Sequence, residues 1–165
     1  MSAGNKVLRD IVTDLEAVLN KCGVMYHVFY RTKSEMSIKN KLEKKSEEYR
    51  KVNKKMQDLL ALRITLYFTD DVELVHNYLK SQSNFDSESV DEAEVDKFCP
   101  KRLNLIMRVP NNLQQDMKAA IKETGYEDLI DNTYEVQIRT ILSEGWHEVE
   151  PVSYTHLTLP TNSRV

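Results

Sequence analysis

Hydrophobic positions at the start of the chain recur with the spacing of a helix. Between residues 5 and 21 these positions are Val7, Leu8, Ile11, Leu15, Val18 and Leu19. Polar residues fill the positions between them, which is typical of a helix with one buried face. Gly23 follows and indicates the end of this helix.

Four later segments have the apolar patterns of β-strands. Residues 24–31 are rich in aromatic and β-branched side chains, and residues 102–109 and 134–140 alternate apolar with polar positions. Residues 59–68 are almost continuously apolar, which predicts a central strand covered on both faces. The chain is therefore expected to form a sheet of at least four strands.

Helices are predicted in the intervals between and after these strands. The segment 34–56 reads as a long charged helix with a sparse apolar face, and shorter helices are predicted at 70–80, 112–123 and 141–150. Strands that alternate with helices imply a layered α/β domain. We expect this domain to span residues 1–150.

Two segments do not fit this alternation. Residues 83–97 carry six acidic groups and one lysine, and we interpret them as a mobile acidic loop. Pro151 would break the last predicted helix, and residues 151–165 show no helical period. They resemble translated vector sequence, so residues 151–165 are expected to be a non-native tail.

Composition narrows the class of protein. The 165 residues suffice for one domain with a core, and 41% hydrophobic with 30% charged residues is typical of globular proteins. A net charge of −3 argues against a large sequence-independent nucleic-acid surface. There is no apolar run of bilayer length and no secretory leader, and Cys22 and Cys99 do not make a disulfide framework, so we expect a cytoplasmic protein.

The stretch "YRTKSEMSIKNK" (30–41) concentrates cations where a strand meets a helix. Arg31 and Lys33 share a strand face, and Ser37 and Lys41 share a helix face. The helix N-terminus adds partial positive charge and free N–H groups, so one interpretation is a polyphosphate site. The other interpretation is a solvated basic helix.

Asp58 and Arg63 are the charged residues around the apolar strand "LLALRITLYF". A charge in a buried strand needs a partner or a ligand, and Arg63 could simply pair with a carboxylate. Asp58 is expected at the entry of the strand, where it could reach a metal ion at the edge of the sheet.

Glu135, Gln137 and Arg139 occupy alternate positions of "YEVQIRT" and are expected on one face of their strand. A carboxylate can bind a hard cation or accept a proton, and arginine can bind phosphate. The alternative is a half-exposed strand with a Glu–Arg pair. In the helix that follows, His147 has no second ligand at suitable spacing, which argues against a zinc site.

Taken together, these stretches resemble the RelA/SpoT synthetase family, the (p)ppGpp synthetases of the bacterial stringent response. "RTKSEMSIKNK" is similar to the family's Arg-x-Lys-Ser-x-x-Ser-Ile-x-x-Lys segment, "DLLALRI" to its aspartate-containing strand, and "YEVQIRT" to its most diagnostic motif. The resemblance runs from about residue 5 to residue 150. It implies a nucleotidyltransferase-like synthetase domain of α/β (α+β-like) class, with a mixed sheet of four to five strands flanked by helices.

The resemblance also implies an enzyme, a GTP pyrophosphokinase that transfers the β,γ-pyrophosphate of ATP to the ribose 3′-hydroxyl of GDP or GTP with Mg²⁺. By position, the residues expected to hold the ATP phosphates are Arg31, Lys33, Ser37 and Lys41. Asp58 and Glu135 would bind the metal, and Glu135 would also orient or deprotonate the acceptor hydroxyl. Gln137 and Arg139 would support the acceptor. The resemblance leaves room for a homo-oligomer, and no membrane partner is expected.

One departure from the family pattern concerns the acceptor. The family carries a Gly-Tyr-x-Ser-x-His segment whose tyrosine stacks on the acceptor guanine, whereas this chain reads "KFCPKRLNLIMRV" with Asn104 in place of the histidine. Phe98 or Arg102 would have to stack instead. Two alternatives therefore stay open: transfer to a tRNA end or an adenosine nucleotide, and a catalytically inactive nucleotide-binding module. A family helix that is expected after Glu150 is also replaced by the tail, which makes activity of this chain an open question.

Overall fold

A computed structural model describes residues 2–44, 55–91 and 102–143 of the chain. In chain order they form α1 (Ala3–Cys22), β1 (Tyr26–Thr32), α2 (Glu35–Lys44), β2 (Leu60–Leu66), α3 (Asp70–Lys80), β3 (Phe85–Asp91), β4 (Arg102–Arg108), α4 (Gln114–Thr124) and β5 (Thr133–Thr140). Short 3₁₀ turns at Asn111–Leu113 and Glu127–Leu129 flank α4.

Helix α1 follows the predicted apolar pattern and is capped at both ends. The Ser2 hydroxyl accepts a hydrogen bond from the backbone N–H of Asn5, and Gly23 ends the helix with a φ of 70°, a left-handed conformation that glycine adopts at little cost. The buried stripe of α1 packs against β1, β2 and α4. The helix therefore covers one face of the sheet.

The five strands form one mixed sheet in the order β1-β2-β5-β4-β3. The central pair β2 and β5 is parallel, and the other three pairs are antiparallel. This confirms the expected fold class of a mixed sheet with flanking helices.

Burial alternates along the strands and separates two faces of the sheet. On the covered face, the even-numbered residues of β2 and β5 from Leu60 to Leu66 and from Tyr134 to Ile138 are all buried. On the opposite face, which we call the open face, Ala61, Arg63 and Glu135 are only half-buried. The prediction that both faces of β2 are covered was thus too strong at Ala61 and Arg63, whereas Thr65 on the same face is buried.

Two sequence-based expectations about element boundaries were wrong. Residues 85–91 of the predicted acidic loop form strand β3, which pairs with β4 through a bulge near Ser87. Polar strands of this kind have little apolar signal, and β3 is held by strand pairing and by Glu88, which binds His76 and Lys80 of α3 at 2.6 Å each. The helix predicted to reach residue 56 cannot do so, since Met56 forms a β-bridge with Ile130.

Other expectations lie outside the described residues. These include the side chains of Phe98, Cys99, Trp146, His147 and Glu150 and the whole of the 151–165 tail. Across the three described ranges, no helix combines the length and the apolar character that crossing a bilayer requires.

Candidate functional site

The pairing of three strands brings predicted site residues into rows across the open face. Arg31 of β1 lies opposite Ala61 of β2, and Ala61 lies opposite Glu135 of β5. Paired residues point to the same face, so Arg31 and Glu135 flank the small methyl group of Ala61. The next row contains Phe29, Arg63 and Gln137.

Asp58 lies two residues before β2, where the chain is tied to the start of β5. The backbone N–H of Met56 donates to Leu129, the backbone N–H of Asp131 donates to Met56, and the Thr133 hydroxyl donates to the carbonyl of Gln57. These bonds fix the segment that carries Asp58 beside the strand that carries Glu135. That the carboxylates of Asp58 and Glu135 share one metal ion stays a prediction.

Two lysines converge on the carboxylate of Asp58. Lys33, directly after β1, and Lys41, on α2, each place Nζ 2.6 Å from Asp58 Oδ2. Lys33 is positioned by its own backbone N–H, which donates to the carbonyl of Leu59 at 2.8 Å. Helix α2 is anchored by Ile38 and Leu42, which are buried and turn Lys41 toward the sheet. Asp58 and both cations therefore form one cluster.

The charge state of Asp58 follows from its surroundings. Burial alone would raise the pKa of this carboxyl, but the hydrogen bonds and charges of Lys33 and Lys41 outweigh burial and lower the pKa below its ordinary value. Its second oxygen, Oδ1, is buried and has no hydrogen-bond partner among the described residues. Asp58 is thus an ionised carboxylate with one buried oxygen that no described residue pairs.

The N-terminus of α2 lies in the same junction. The Ser34 hydroxyl caps the helix by accepting from the backbone N–H of Ser37 at 3.4 Å, and it donates to the Ser37 hydroxyl at 2.9 Å. Ser37 is exposed and one helical turn before Lys41. Of the predicted set of Arg31, Lys33, Ser37 and Lys41, the two lysines therefore meet at Asp58. Ser37 bonds to Ser34 in the first turn of α2, and Arg31 lies opposite Ala61 on the open face.

A chain of hydrogen bonds orients Glu135. Arg63 Nε donates to Gln137 Oε1 at 3.1 Å, and Gln137 Nε2 donates to Glu135 Oε2 at 3.1 Å. The arginine fixes which end of the amide is the acceptor, so the amide nitrogen faces the carboxylate. Sequence alone left the role of Arg63 open, and the strand register is what reveals it.

Arg139 is placed differently from the other predicted residues. Its side chain is buried, donates to the backbone carbonyls of Leu103 and Ile138, and donates to Asn104 Oδ1 at 2.7 Å. The guanidinium thus joins β5 to β4. Asn104, at the position of the expected histidine, is its side-chain partner.

A cavity of about 260 Å³ opens on this face between the two arginines. Phe29, Arg31, Ala61, Arg63 and Gln137 line it. Phe29 is 60% exposed and presents its ring to this cavity. Its position two residues before Arg31 in a strand places both side chains on one face, a signal that was already present in the sequence.

The carboxylates of the site match the needs of Mg²⁺ in number. No group of three or more His, Cys, Asp or Glu that could hold a metal occurs within residues 2–44, 55–91 and 102–143. Mg²⁺ in nucleotide enzymes is held by one or two carboxylates together with substrate phosphates and water. The unpartnered Asp58 Oδ1 and the half-buried Glu135 are suitable for that role.

Solved structures with the same fold are similar to this chain. Small alarmone synthetase 1 from Bacillus subtilis bound to its product pppGpp superposes with a TM-score of 0.62 and 21% identity, covering 96% of this chain and 80% of that one. Small alarmone synthetase 2 from Bacillus subtilis gives 0.57 and 23%, with coverage of 96% and 80%. A GTP pyrophosphokinase family protein from Streptococcus pneumoniae gives 0.63 and 18%, with coverage of 93% and 74%.

Similarity at the level of sequence comes from a family model. No curated protein matches the chain. The model described as the region found in RelA / SpoT proteins matches residues 30–156, which is more than half of the chain and includes Arg31, Asp58 and Glu135. The chain therefore belongs to the RelA/SpoT family.

Proposed function

We propose that this chain is a nucleotide pyrophosphokinase that makes (p)ppGpp, transferring the β,γ-pyrophosphate of ATP to the ribose 3′-hydroxyl of GDP or GTP. The observation that carries this proposal is the cluster of Lys33, Lys41 and Asp58 beside the open face. The two lysines provide positive charge for a polyphosphate, and the carboxylate of Asp58 provides an acid for its metal ion. The cytoplasm would supply both nucleotides.

The residues divide into a donor side and an acceptor side. On the donor side, Lys33 and Lys41 would donate hydrogen bonds to ATP phosphate oxygens in place of some of those they donate to Asp58. Arg31 and Ser37 would bind the phosphates beside them. The cavity beside Phe29 would receive the adenine, because guanidinium and aromatic groups both stack on a base.

On the acceptor side, the 3′-hydroxyl oxygen attacks the β-phosphorus of ATP. The bond from that phosphorus to the α,β-bridging oxygen breaks, and AMP leaves. Glu135 accepts the hydroxyl proton, while Gln137 holds the carboxylate in position. Arg139 supports this side by joining β5 to β4. Most of the catalysis is positioning and charge stabilisation, as is usual for phosphoryl transfer.

Asp58 and Glu135 would hold Mg²⁺. When bound, the ion would neutralise negative charge on the phosphate oxygens in addition to the charge that the lysines neutralise.

The solved relatives support the choice of substrates. Small alarmone synthetase 1 from Bacillus subtilis has been solved with its product pppGpp and with AMPCPP. Those ligands are properties of that protein. For the present chain they support ATP as donor and a guanosine nucleotide as acceptor.

The test is a turnover assay with labelled ATP, GDP and Mg²⁺, in which a more highly phosphorylated guanosine should appear. Glu135→Gln should lower turnover by about a hundredfold or more, since the base is removed with little change of shape. Glu127→Gln, the same change at an exposed position, is the matched control. If AMPCPP binds but no labelled product forms from any acceptor, the chain is a nucleotide-binding module and the proposal is wrong.

A second acceptor is favoured by one feature of β4. Among the described side chains, the open face of this strand presents Asn104, Ile106 and Arg108, and none of them is an aromatic ring. The guanidinium of Arg108 is held by Asp86. Transfer to an adenosine nucleotide or a tRNA end is therefore the second candidate. A competition assay with GDP, ADP and tRNA in one reaction separates the acceptors by the labelled product.

A further inference from the structure

A second cavity lies on the covered side of the sheet, away from the open face. Its volume is about 200 Å³, and it is bordered on several sides by α1, the end of α3 and strands β2, β4 and β5. Leu15, Leu62 and Val136 contribute apolar walls, whereas Asp14 and Tyr134 contribute polar groups. A mostly apolar cavity with a few converging polar groups is the usual form of a small-molecule site.

The phenol of Tyr134 is the polar group whose bonding capacity is least used. The side chain is 5% exposed, and its oxygen accepts a long 3.4 Å hydrogen bond from Asn84 Nδ2. Within the part of the chain that the structure describes, no group accepts the proton of this hydroxyl. Burial raises the pKa of Tyr134 to about 12, so the hydroxyl remains a donor at physiological pH. The hydroxyl lines the cavity, so a ligand with a hydrogen-bond acceptor could supply the partner that the protein does not.

The charge of the walls restricts the ligand. Asp14 is the charged residue among the lining side chains, and neither lysine nor arginine lines the cavity. A phosphate or a free carboxylate would therefore meet a carboxylate and no cation. Asp14 is exposed, so solvent screens this repulsion, and the cavity favours a neutral or cationic molecule over an anion such as a nucleotide. It therefore differs in chemistry from the open face.

The volume restricts the size of the ligand. A cavity of about 150 Å³ lined by aliphatic side chains accepts benzene, so about 200 Å³ suits one ring with a short substituent. We propose that this cavity is a binding site for a single-ring aromatic amine, whose ring lies among Leu15, Leu62 and Val136. An acceptor atom on the ring would accept a hydrogen bond from the Tyr134 hydroxyl, and the amine would face Asp14.

The location of this site suggests how its ligand acts. Successive strand residues point to opposite faces, so Tyr134 and Val136 on the cavity side alternate with Glu135 and Gln137 on the open face. A ligand that restrains β5 from the covered face changes the orientation of the Glu135 side chain on the open face. By thermodynamic linkage, nucleotide binding then changes the affinity for this ligand by the same factor as the ligand changes the affinity for the nucleotide. This coupling rests on the proposed function, whereas binding of the amine does not.

The experiment is a titration of the ¹⁵N-labelled chain with tyramine, which has both the phenol oxygen and the amine. We expect saturable shifts at the amides of Leu15, Asn84 and Tyr134. Tyr134→Phe should weaken tyramine binding about tenfold, since one hydrogen bond is lost without a change of shape. It should leave the affinity for phenethylamine, which lacks the phenol oxygen, unchanged.

A second variant tests the amine. Asp14→Asn should weaken both amines and leave p-cresol unaffected. Three outcomes would each overturn the site. The first is no saturable binding, and the second is amide shifts confined to open-face residues such as Phe29 and Arg63. The third is equal tyramine affinity in the wild type and in Tyr134→Phe.

Coupling is measured separately, as the change in AMPCPP affinity at saturating tyramine, where a change of about threefold or more is expected. An unchanged AMPCPP affinity would overturn the coupling. Failure of AMPCPP to bind at all would contradict the proposed function and leave the tyramine result standing.

Discussion

Gln137 donates a hydrogen bond of 3.1 Å from its amide nitrogen to the carboxylate of Glu135, two residues earlier on the same strand. The amide oxygen is meanwhile held by Arg63 of the neighbouring strand. An amide bonded at both ends cannot turn without losing one bond. Gln137 is therefore the residue that fixes the direction of the carboxylate.

Removing this amide should reduce turnover more than it weakens ATP binding. Gln137→Leu keeps the size of the side chain and removes the donor to Glu135, so kcat should fall about tenfold. Because Gln137 also lines the cavity proposed for the adenine, KM for ATP should rise, but by a smaller factor. Steady-state kinetics at saturating acceptor provide the measurement, and Gln115→Leu on the exposed side of α4 is the control. A fall in ATP affinity with unchanged kcat would show that Gln137 serves the donor instead.

The two lysines that meet at Asp58 should each contribute to donor binding. Lys33→Met and Lys41→Met remove one charge and keep an apolar stem, so each should weaken AMPCPP binding about tenfold or more. Because both bind the same carboxylate, the double variant should lose less than the product of the two effects.

Lys39→Met is the matched control for these variants. Lys39 lies on the same helix, is exposed, and is 4.0 Å from Glu43. Isothermal titration calorimetry with AMPCPP measures all four variants. Equal affinities for the Lys39 and Lys41 variants would contradict a phosphate site at this junction.

Asp58 should contribute to stability in a pH-dependent way. Its pKa is lowered from the ordinary 3.8, so the stabilisation is fully present above that pH and is lost as the pH falls through the lower folded-state pKa. Asp58→Asn should therefore lower the free energy of unfolding by about 1–3 kcal/mol at pH 7, and the deficit should shrink below pH 3.8. Urea unfolding between pH 2.5 and 7 (a range set about that value) measures this difference.

Asp128→Asn, at an exposed position of a 3₁₀ turn, is the control for Asp58→Asn. A deficit that is unchanged at the acid end of the range would show that the carboxylate charge is not its cause.

Gly4 lies where α1 closely approaches the end of β1. A Cβ at this position would lie 2.9 Å from Thr32 Oγ1 and 3.1 Å from Leu60 Cδ2. Gly4→Ala gains up to about 1 kcal/mol of helix propensity, but overpacking costs about 1–3 kcal/mol. We therefore expect a net loss in the free energy of unfolding, measured by urea denaturation.

A double-mutant cycle identifies the cause of that loss. Thr32→Ala removes the closest atom, so Gly4→Ala should cost less in the Thr32→Ala background than in wild type. If Gly4→Ala lowers the free energy of unfolding by the same amount in both backgrounds, the contact with Thr32 is not the cause of the strain.

Elements with a strong apolar signal could be predicted from the sequence. Helix α1 was predicted because burial on one side leaves a regular pattern of Leu, Ile and Val, and strand β2 was predicted because its apolar run is almost continuous. Strand β3 was missed because its sequence, "FDSESVD", satisfies its backbone through pairing with β4 and its charge through α3. Neither contact leaves a local trace in the sequence.

The chain by itself determined which residues can do chemistry and which of them share a strand face, because side-chain direction follows from a period of two. Glu135 and Gln137 are an example. Only the tertiary structure decided which residues meet across the sheet, since register depends on contacts between segments far apart in sequence. Three features are consequences of that register. Lys33, Lys41 and Asp58 form one cluster, Arg63 donates to Gln137, and Arg139 is buried against Asn104.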